Sequence, residues 1–267
     1  MMPSHLRVSD LVEYTLAEKG DRSFLRLYEK LMSRHVPKFY GARKKSLLYG
    51  IVLHEVSTFL WKLEGETVAK MYDRRKRSGF EYFQSYKSPI EDLIYGKTRL
   101  EELAKARSDL ISLNIPETDI NARIRYYAES FLDLRFEEVR KLLRHRQLPN
   151  LVYTKVDISS TVLGPLVAGK MDIEEHTADG INIRELKTSP NVFADTLQVS
   201  IYGILKSAEF KSKHPVIKTF LDYVDHGPMG IEVFHEKGKE EARRLASSLI
   251  EMLKKSKDDV KKMDVKK

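Results

Sequence analysis

The chain has no cysteine among its 267 residues. Disulfide bonds and cysteine-ligated zinc are therefore excluded, and so is an iron–sulfur cluster held by thiolates. The fold must instead be closed by packing of its hydrophobic residues, which make up 42% of the sequence. A lysine-rich helix predicted over residues 238–257 is the expected closing element, whereas the last ten residues are expected to fray.

Long apolar runs are also lacking. No run approaches the ~20 residues that a membrane helix requires, and the N-terminal segment lacks the basic-then-apolar pattern of a signal peptide. The sequence has no internal repeat and no low-complexity linker. We therefore expect a cytoplasmic protein with no membrane partner.

Charge, by contrast, is abundant. Charged residues make up 32% of the chain, and the formal net charge is +8. A basic protein has the charge balance that fits a polyanionic partner. Because thermophile proteins also contain many charged residues, the charge alone argues only weakly for nucleic acid.

A β-hairpin carries the most informative motif. Segments 166–173 and 181–187 are typical of short strands, and Asp179-Gly180 between them is a turn signal. The pattern predicts an antiparallel pair whose side chains alternate between two faces.

Three charged residues of this hairpin are predicted to lie close together. Alternation puts Glu185 and Lys187 on one face, and Asp172 reaches that face if the hairpin pairs. Two carboxylates and one amine can hold a divalent cation and orient a water for phosphodiester hydrolysis. The alternative is an amphipathic hairpin with a solvated charged face.

Helix-like segments contribute two more motifs. An apolar segment carries His54 and Glu55, with His54 four residues after a glycine. Downstream of the hairpin, helical spacing puts Gln198 and Tyr202 one turn apart on one face. The alternative for His54 is a satisfied core histidine, and the other two residues would then simply line their helix.

In chain order the motifs are G-x-x-x-H-E, G-x-x-D, E-x-K and Q-x-x-x-Y. This ordered set resembles the RecB-like branch of the PD-(D/E)XK nuclease superfamily, in particular the CRISPR-associated RecB-like exonucleases and related archaeal or viral enzymes. The resemblance covers residues 43–63 and 150–235. Many such exonucleases bind an iron–sulfur cluster through four cysteines, and this chain departs from that pattern.

The resemblance implies an α/β, restriction-endonuclease-like fold, in which helices flank a mixed sheet. The helical segments and weak strand signal between residues 65 and 146 predict a helical lobe inserted into this fold. The expected divisions are N-terminal core helices in 1–64, the lobe in 65–148, and the sheet with C-terminal helices in 149–267. Within the lobe, segments 65–87, 89–111 and 117–146 have helical spacing, and Ser88-Pro89 is typical of a helix start.

The resemblance also implies roles for individual residues. Mg²⁺ or Mn²⁺ would be bound by His54, Asp172, Glu185 and the backbone carbonyl of Leu186. Lys187 would position or deprotonate the attacking water and offset charge in the transition state. Gln198 and Tyr202 would contact DNA near the scissile phosphate.

A basic cluster in the lobe is a second candidate for DNA binding. It consists of Arg74, Arg75, Lys76 and Arg77, with tyrosine and phenylalanine residues on either side. Arginines and lysines bind phosphates while bases stack on aromatic rings, a combination that suits single strands. The alternative is a solvated helix face whose aromatics, such as Tyr82 and Phe83, turn to the core.

The resulting prediction is a Mg²⁺- or Mn²⁺-dependent deoxyribonuclease. Its expected activity is that of an exonuclease on single-stranded or end-containing DNA, in CRISPR adaptation, repair or viral DNA processing, with protein partners in a DNA-processing complex. Two alternatives stay open: a catalytically silent, nucleic-acid-binding subunit, and a small-molecule or RNA hydrolase using the same cation site.

Overall fold

The computed structural model describes residues 5–33, 42–73, 79–145, 151–177, 180–188, 190–210, 215–225, 229–233 and 238–265. The strands in these ranges are β1 (Leu6–Arg7), β2 (Leu151–Ser160), β3 (Val167–His176), β4 (Gly180–Lys187), β5 (Val216–Tyr223) and β6 (Met229–Val233). The helices are α1 (Val8–Glu18), α2 (Phe24–Ser33), α3 (Ala42–Asp73), α4 (Gly79–Ile94), α5 (Glu101–Ser112), α6 (Glu117–His145), α7 (Val192–Ser207), α8 (Lys239–Lys254) and α9 (Lys257–Val265).

The strands form one mixed sheet in the order β1-β3-β4-β5-β6, and β2 pairs with β3 outside this path. Strand β3 is antiparallel to β2 and β4, whereas β4 and β5 are parallel and β6 is antiparallel to β5. The two residues of β1 pair in parallel with the beginning of β3. The predicted α/β fold with a mixed sheet and flanking helices is confirmed.

Two hydrophobic cores hold the helices to the sheet. One joins the sheet to α1, α2, α7 and α8. The other joins α3, α4, α5 and α6 to one another and includes Ile173 and Leu186 from the sheet and Val224, which directly follows β5. Ile173 and Leu186 flank the predicted site residues of β3 and β4, so the site lies where both cores meet the sheet.

Two local features differ from the predictions. Helix α4 continues through Pro89, so the predicted helix start at Ser88-Pro89 is wrong. Burial of Tyr86, Ile90 and Leu93 on both sides of the proline favours continuation, although an interior proline costs about 3 kcal/mol. Helix α3 runs unbroken from residue 42 to 73, across the position where the lobe was predicted to begin; the domain divisions stay a prediction.

The C-terminal residues are the second difference. Instead of fraying, residues 257–265 form α9. Asp264 accepts hydrogen bonds from Ser23 Oγ at 2.6 Å and from the Phe24 backbone N–H at 2.8 Å. This carboxylate caps the beginning of α2, because the first N–H groups of a helix lack partners within it.

No helix in the described ranges combines the length and the hydrophobicity needed to cross a lipid bilayer.

Candidate active site

The candidate site lies where β3 and β4 separate. Regular pairing extends from His176 opposite Ile181 to Ile173 opposite Arg184. One residue further along β3, the Asp172 carboxylate accepts a hydrogen bond from the Leu186 backbone N–H at 2.9 Å. A side-chain oxygen thus satisfies a strand donor, which places the carboxylate in the gap between the strands.

Glu185 and Lys187 face helix α7, as strand alternation requires. Gln198 on α7 contacts both: its Nε2 donates to Glu185 Oε1 at 2.6 Å, and its Oε1 accepts from Lys187 Nζ at 2.9 Å. Lys187 Nζ also donates to Glu185 Oε1 at 3.1 Å. The glutamine therefore holds the lysine and the glutamate in one network.

Tyr202, one helical turn after Gln198, anchors α7 to β3. Its hydroxyl donates to the Lys170 carbonyl at 2.9 Å. This close approach requires the glycine of the G-x-x-D motif, because a Cβ at Gly169 would lie 2.5 Å from Tyr202 Cε1 and 2.8 Å from Val8 Cγ2. The motif glycine thus has a packing reason.

His54 reaches the site from α3. Its Nδ1 lies 3.0 Å from Asp172 Oδ1, and about a third of its side chain (32%) is exposed. The next residue, Glu55, is buried and forms an ion pair with Lys155 on β2. Helix α3 therefore contacts the sheet beside Asp172 through two consecutive polar residues.

Burial and like charge set the protonation of the carboxylates. Burial, together with repulsion from Asp172, raises the pKa of Glu185 to about 8, against an ordinary 4.5. Burial acts the same way on Asp172, but His54 and the Leu186 N–H outweigh it and lower the pKa of that carboxyl. Two nearby carboxylates cannot both ionise without cost unless a cation lies between them.

The basic groups respond in the opposite sense. Burial would lower the pKa of His54, but Asp172 and Glu185 outweigh it, and the pKa is raised. For Lys187, burial is likewise outweighed by Glu185 and Asp195, and its pKa is raised. Lys187 is thus held as an ammonium group.

The donor set fits a hard divalent cation. Glu185 Oε2 is buried and has no hydrogen-bond partner among the described residues. This carboxylate oxygen beside Asp172 is therefore available to coordinate a cation. Carboxylate oxygens suit Mg²⁺, and an imidazole also suits Mn²⁺. Yet within the described part of the chain, no three His, Asp or Glu side chains are already grouped as a metal site. Convergence of His54, Asp172 and Glu185 on one ion stays a prediction.

The second predicted DNA-binding region is only partly visible. Arg74, Arg75, Lys76 and Arg77 lie outside the described residues, as does Asp179 of the predicted turn. Tyr82 and Tyr86 in the adjoining helix are fully buried, so they are core residues and the stacking role considered for Tyr82 is wrong. Burial of these rings against α6 explains the difference, since Tyr82 packs on Phe136 at a centroid distance of 5.7 Å.

Sequence reasoning missed three residues near the site. Asp195 on α7 lies 3.8 Å from Lys187 Nζ and accepts a hydrogen bond from the Tyr223 hydroxyl at 3.0 Å. Its place in the first turn of a predicted helix was the available signal. Lys155 on β2 and Arg123 on α6 are the other two, and no local pattern marks either one.

Comparisons with known proteins support the fold. The crystal structure of a protein from Eubacterium rectale named "putative exonuclease" matches with a TM-score of 0.53 at 12% identity, covering 94% of this chain and 81% of that one. A structure named SSO0001 matches at a TM-score of 0.31 and 17% identity, covering 87% of this chain and 86% of that one. No protein-family model and no curated protein matches the chain. The first likeness shows the fold alone: a mixed α/β fold shared with the Eubacterium rectale protein.

Proposed function

We propose that the chain is a divalent-cation-dependent deoxyribonuclease whose active site comprises Asp172, Glu185, Lys187 and His54. The observation that carries the proposal is that Glu185 Oε2, buried beside the Asp172 carboxylate, has no hydrogen-bond partner in the part of the chain that the structure describes. Such a pair is costly in the empty state and is stabilised by a cation. A lysine ammonium lies on the same face, which is the combination that phosphodiester hydrolysis uses.

When bound, Mg²⁺ or Mn²⁺ would polarise the phosphate and promote ionisation of a water. Asp172 and Glu185 would hold it, with His54 and the Leu186 carbonyl as further ligands. The Leu186 N–H holds the Asp172 carboxylate, and Gln198 holds the Glu185 carboxylate. Both carboxylates are therefore positioned before the cation binds. Such preorganisation lowers the cost of assembling the site.

Lys187 acts as a fixed positive charge in this proposal. Its raised pKa keeps it protonated at neutral pH, so it stabilises negative charge on phosphate oxygens in the transition state. Glu185, Gln198 and Asp195 surround its ammonium group and hold it at the site.

A cluster of arginine and tyrosine beside the site favours a single strand as substrate. The end of β4 bonds to the segment after β5, where the Val224 N–H donates to the Lys187 carbonyl at 3.1 Å. At the next residue, Asp225, Arg123 Nη1 lies 2.7 Å from the carboxylate and the Tyr126 hydroxyl donates to the carbonyl at 2.8 Å. Tyr126 is 39% exposed, so its ring is accessible to an unpaired base.

Exonuclease action on such strands, with protein partners in CRISPR adaptation, repair or viral DNA processing, is the finer part of the proposal. The name of the Eubacterium rectale protein favours an exonuclease. The order of the four sequence motifs favours the RecB-like branch.

The test is cleavage of labelled DNA in Mg²⁺, Mn²⁺ or EDTA. The linear single-stranded and double-stranded substrates are end-labelled, and the circular single strand is labelled internally. We expect the wild type to degrade the linear single strand from its ends in either metal, to spare the circle and to be inactive in EDTA. Asp172→Asn should be inactive. Asp157→Asn is the matched control, because Asp157 lies on neighbouring β2 with a side chain that is 83% exposed.

Equal cleavage by Asp172→Asn and wild type would contradict the proposal. Binding of DNA without cleavage in any metal would favour a silent nucleic-acid-binding subunit. Cleavage of the circle would keep the nuclease and reject the exonuclease.

A further inference from the structure

Lys155 has a backbone conformation that lysine rarely adopts. It lies in the middle of β2 with a φ of 56°, and Asn114 is the one other non-glycine residue in the described ranges with a positive φ. Asparagine tolerates this left-handed region because its short side chain can bond locally, but lysine has no such compensation. Residues held in such conformations cluster at functional sites.

The strained residue lies directly across from Asp172. Strand pairing joins Thr154 to Ile173 and Val156 to Met171, so Lys155 and Asp172 are the residues between these two pairs. On the other side of β3, β4 carries Lys187. The two strands that flank Asp172 therefore each place a lysine beside it.

The Lys155 side chain is held in place and still accessible. Its ammonium group pairs with Glu55, which directly follows His54 on α3. The Lys155 side chain is 42% exposed, whereas that of Glu55 is 10% exposed. A cation fixed at one point and open to solvent is suited to a ligand with negative charge.

We propose that Lys155 binds a phosphate of the substrate strand next to the scissile phosphate. This inference rests on the proposed function, because it assumes that a strand passes Asp172. Neighbouring phosphates of a DNA strand repel one another. The compact positive charge of a lysine beside one of them offsets this repulsion. Glu55 holds the Lys155 ammonium group until the DNA strand binds. The left-handed backbone of Lys155 allows its side chain to lie at this point of β2.

The competing role is purely structural. A Glu55–Lys155 ion pair would then only fasten α3 to β2 and keep His54 on Asp172. That role predicts a loss of stability without any loss of phosphate contacts. The two roles separate in the salt dependence of DNA binding, because each lost phosphate contact lowers the counterion release by a fixed amount.

The experiment measures binding of a short single strand in EDTA over a range of salt concentrations. The proteins are wild type, Lys155→Ala, Lys155→Arg, Lys155→Gly and Lys218→Ala. Lys218 is the matched control, an exposed strand lysine that pairs with Asn182 toward the other end of β4. Melting temperatures are recorded for all five.

We expect Lys155→Ala to bind more weakly and to reduce the slope of log K against log salt by about 0.7, the amount for one single-strand phosphate contact. Lys155→Arg should keep the slope, and Lys218→Ala should match the wild type. Lys155→Gly should reduce the slope by the same amount as Lys155→Ala. It should melt at a higher temperature than Lys155→Ala, because glycine accepts the left-handed backbone.

A Lys155→Ala variant with the wild-type slope and a lowered melting temperature would overturn the inference in favour of the structural role. A wild type that binds DNA in EDTA with this lysine-dependent slope, but does not cleave it when Mg²⁺ or Mn²⁺ is added, would contradict the proposed function and leave the phosphate contact standing. A wild type that does not bind the strand in EDTA would overturn the inference about Lys155, whereas the cleavage assay in Mg²⁺ or Mn²⁺ decides the proposed function separately.

Discussion

Glu185 is buried next to a second carboxylate, and this placement has a measurable consequence at the scale of single residues. The pKa of Glu185 is about 8 in the fold against 4.5 ordinarily, so the folded chain binds more protons between these values. The free energy of unfolding then falls as pH rises through this range. The raised pKa of His54 acts in the same direction above its ordinary 6.5, and the lowered pKa of Asp172 matters only below 3.8.

We therefore predict that the metal-free protein melts at progressively lower temperature from about pH 5 to pH 9. Glu185→Gln should flatten this dependence, because an amide does not ionise. Added Mg²⁺ or Mn²⁺ should raise the melting temperature of the wild type most at the alkaline end, where the carboxylate is charged. Differential scanning fluorimetry in EDTA checks this, and an identical pH profile for Glu185→Gln would contradict it.

Lys187 should act mainly in the transition state. We predict that Lys187→Ala lowers kcat by about 10²–10³, the effect of losing one preorganised donor, while the affinities for DNA and metal stay near wild type. Single-turnover kinetics at saturating DNA measure this directly, with Lys218→Ala as the matched control. If binding collapses while the saturated rate is normal, Lys187 is only a phosphate anchor.

The residues of the hairpin were predictable because chemistry and spacing coincide there. Strand alternation places Glu185 and Lys187 on one face from sequence alone. Lys155 was not predictable, since its place across from Asp172 depends on pairing with a strand that begins more than ten residues later. Glu55 was recognised without its partner for the same reason: the ion pair joins positions 100 residues apart.

At the scale of elements, contact between α7 and β3 depends on a missing side chain. We predict that Gly169→Ala destabilises the fold by about 1–3 kcal/mol, the usual cost of overpacking, since its Cβ would lie 2.5 Å from a carbon of the Tyr202 ring. Cleavage should fall as well, because displacement of α7 moves Gln198 away from Glu185 and Lys187. Urea denaturation and cleavage assays measure the two effects.

Gly65→Ala is the control for this prediction. Gly65 lies within α3, and a Cβ added there would meet no described atom within 4 Å beyond its own helix backbone and chain neighbours. Replacing a helix-interior glycine by alanine should stabilise by about 0.5–1 kcal/mol. If the two variants have equal stability, the contact between Gly169 and Tyr202 does not constrain the fold.

Element types were predicted better than element ends. Helix α4 shows why, because a proline at residue 89 predicts a boundary and the burial of neighbouring side chains overrides it. In the C-terminal helix α9, too, a contact with a distant part of the chain overrides the local signal. Its Asp264 caps α2 across a separation of 240 residues, which local sequence does not encode.

At the scale of the whole molecule, buried ion pairs join helices α3 and α6 to the sheet. Arg135 on α6 is 1% exposed; its Nη2 lies 2.7 Å from Glu64 on α3 and 3.5 Å from Glu175 on β3. The Arg135 guanidinium also lies 4.0 Å from the centre of the Trp61 ring. Composition predicts arginine at the surface, so this network was not predictable.

We predict that Arg135→Met destabilises the fold by about 3–5 kcal/mol, because Glu64 is left as a buried charge without its partner. Arg140→Met is the matched control on the same helix, since Arg140 pairs with Glu137 at the surface and such pairs contribute about 0–1 kcal/mol. Chemical denaturation monitored by tryptophan fluorescence measures both. Equal midpoints for the two variants would show that the network does not stabilise the fold.

Binding of a divalent cation between Asp172 and Glu185 is the central claim about this molecule. The most direct measurement is titration of the metal-free protein with Mn²⁺, with free ion followed by electron paramagnetic resonance. We predict saturable binding of one ion per chain in the wild type and in Lys155→Ala, and loss of that site in Asp172→Asn and Glu185→Gln. Wild-type protein without saturable binding, or equal binding by Asp172→Asn, would contradict the claim.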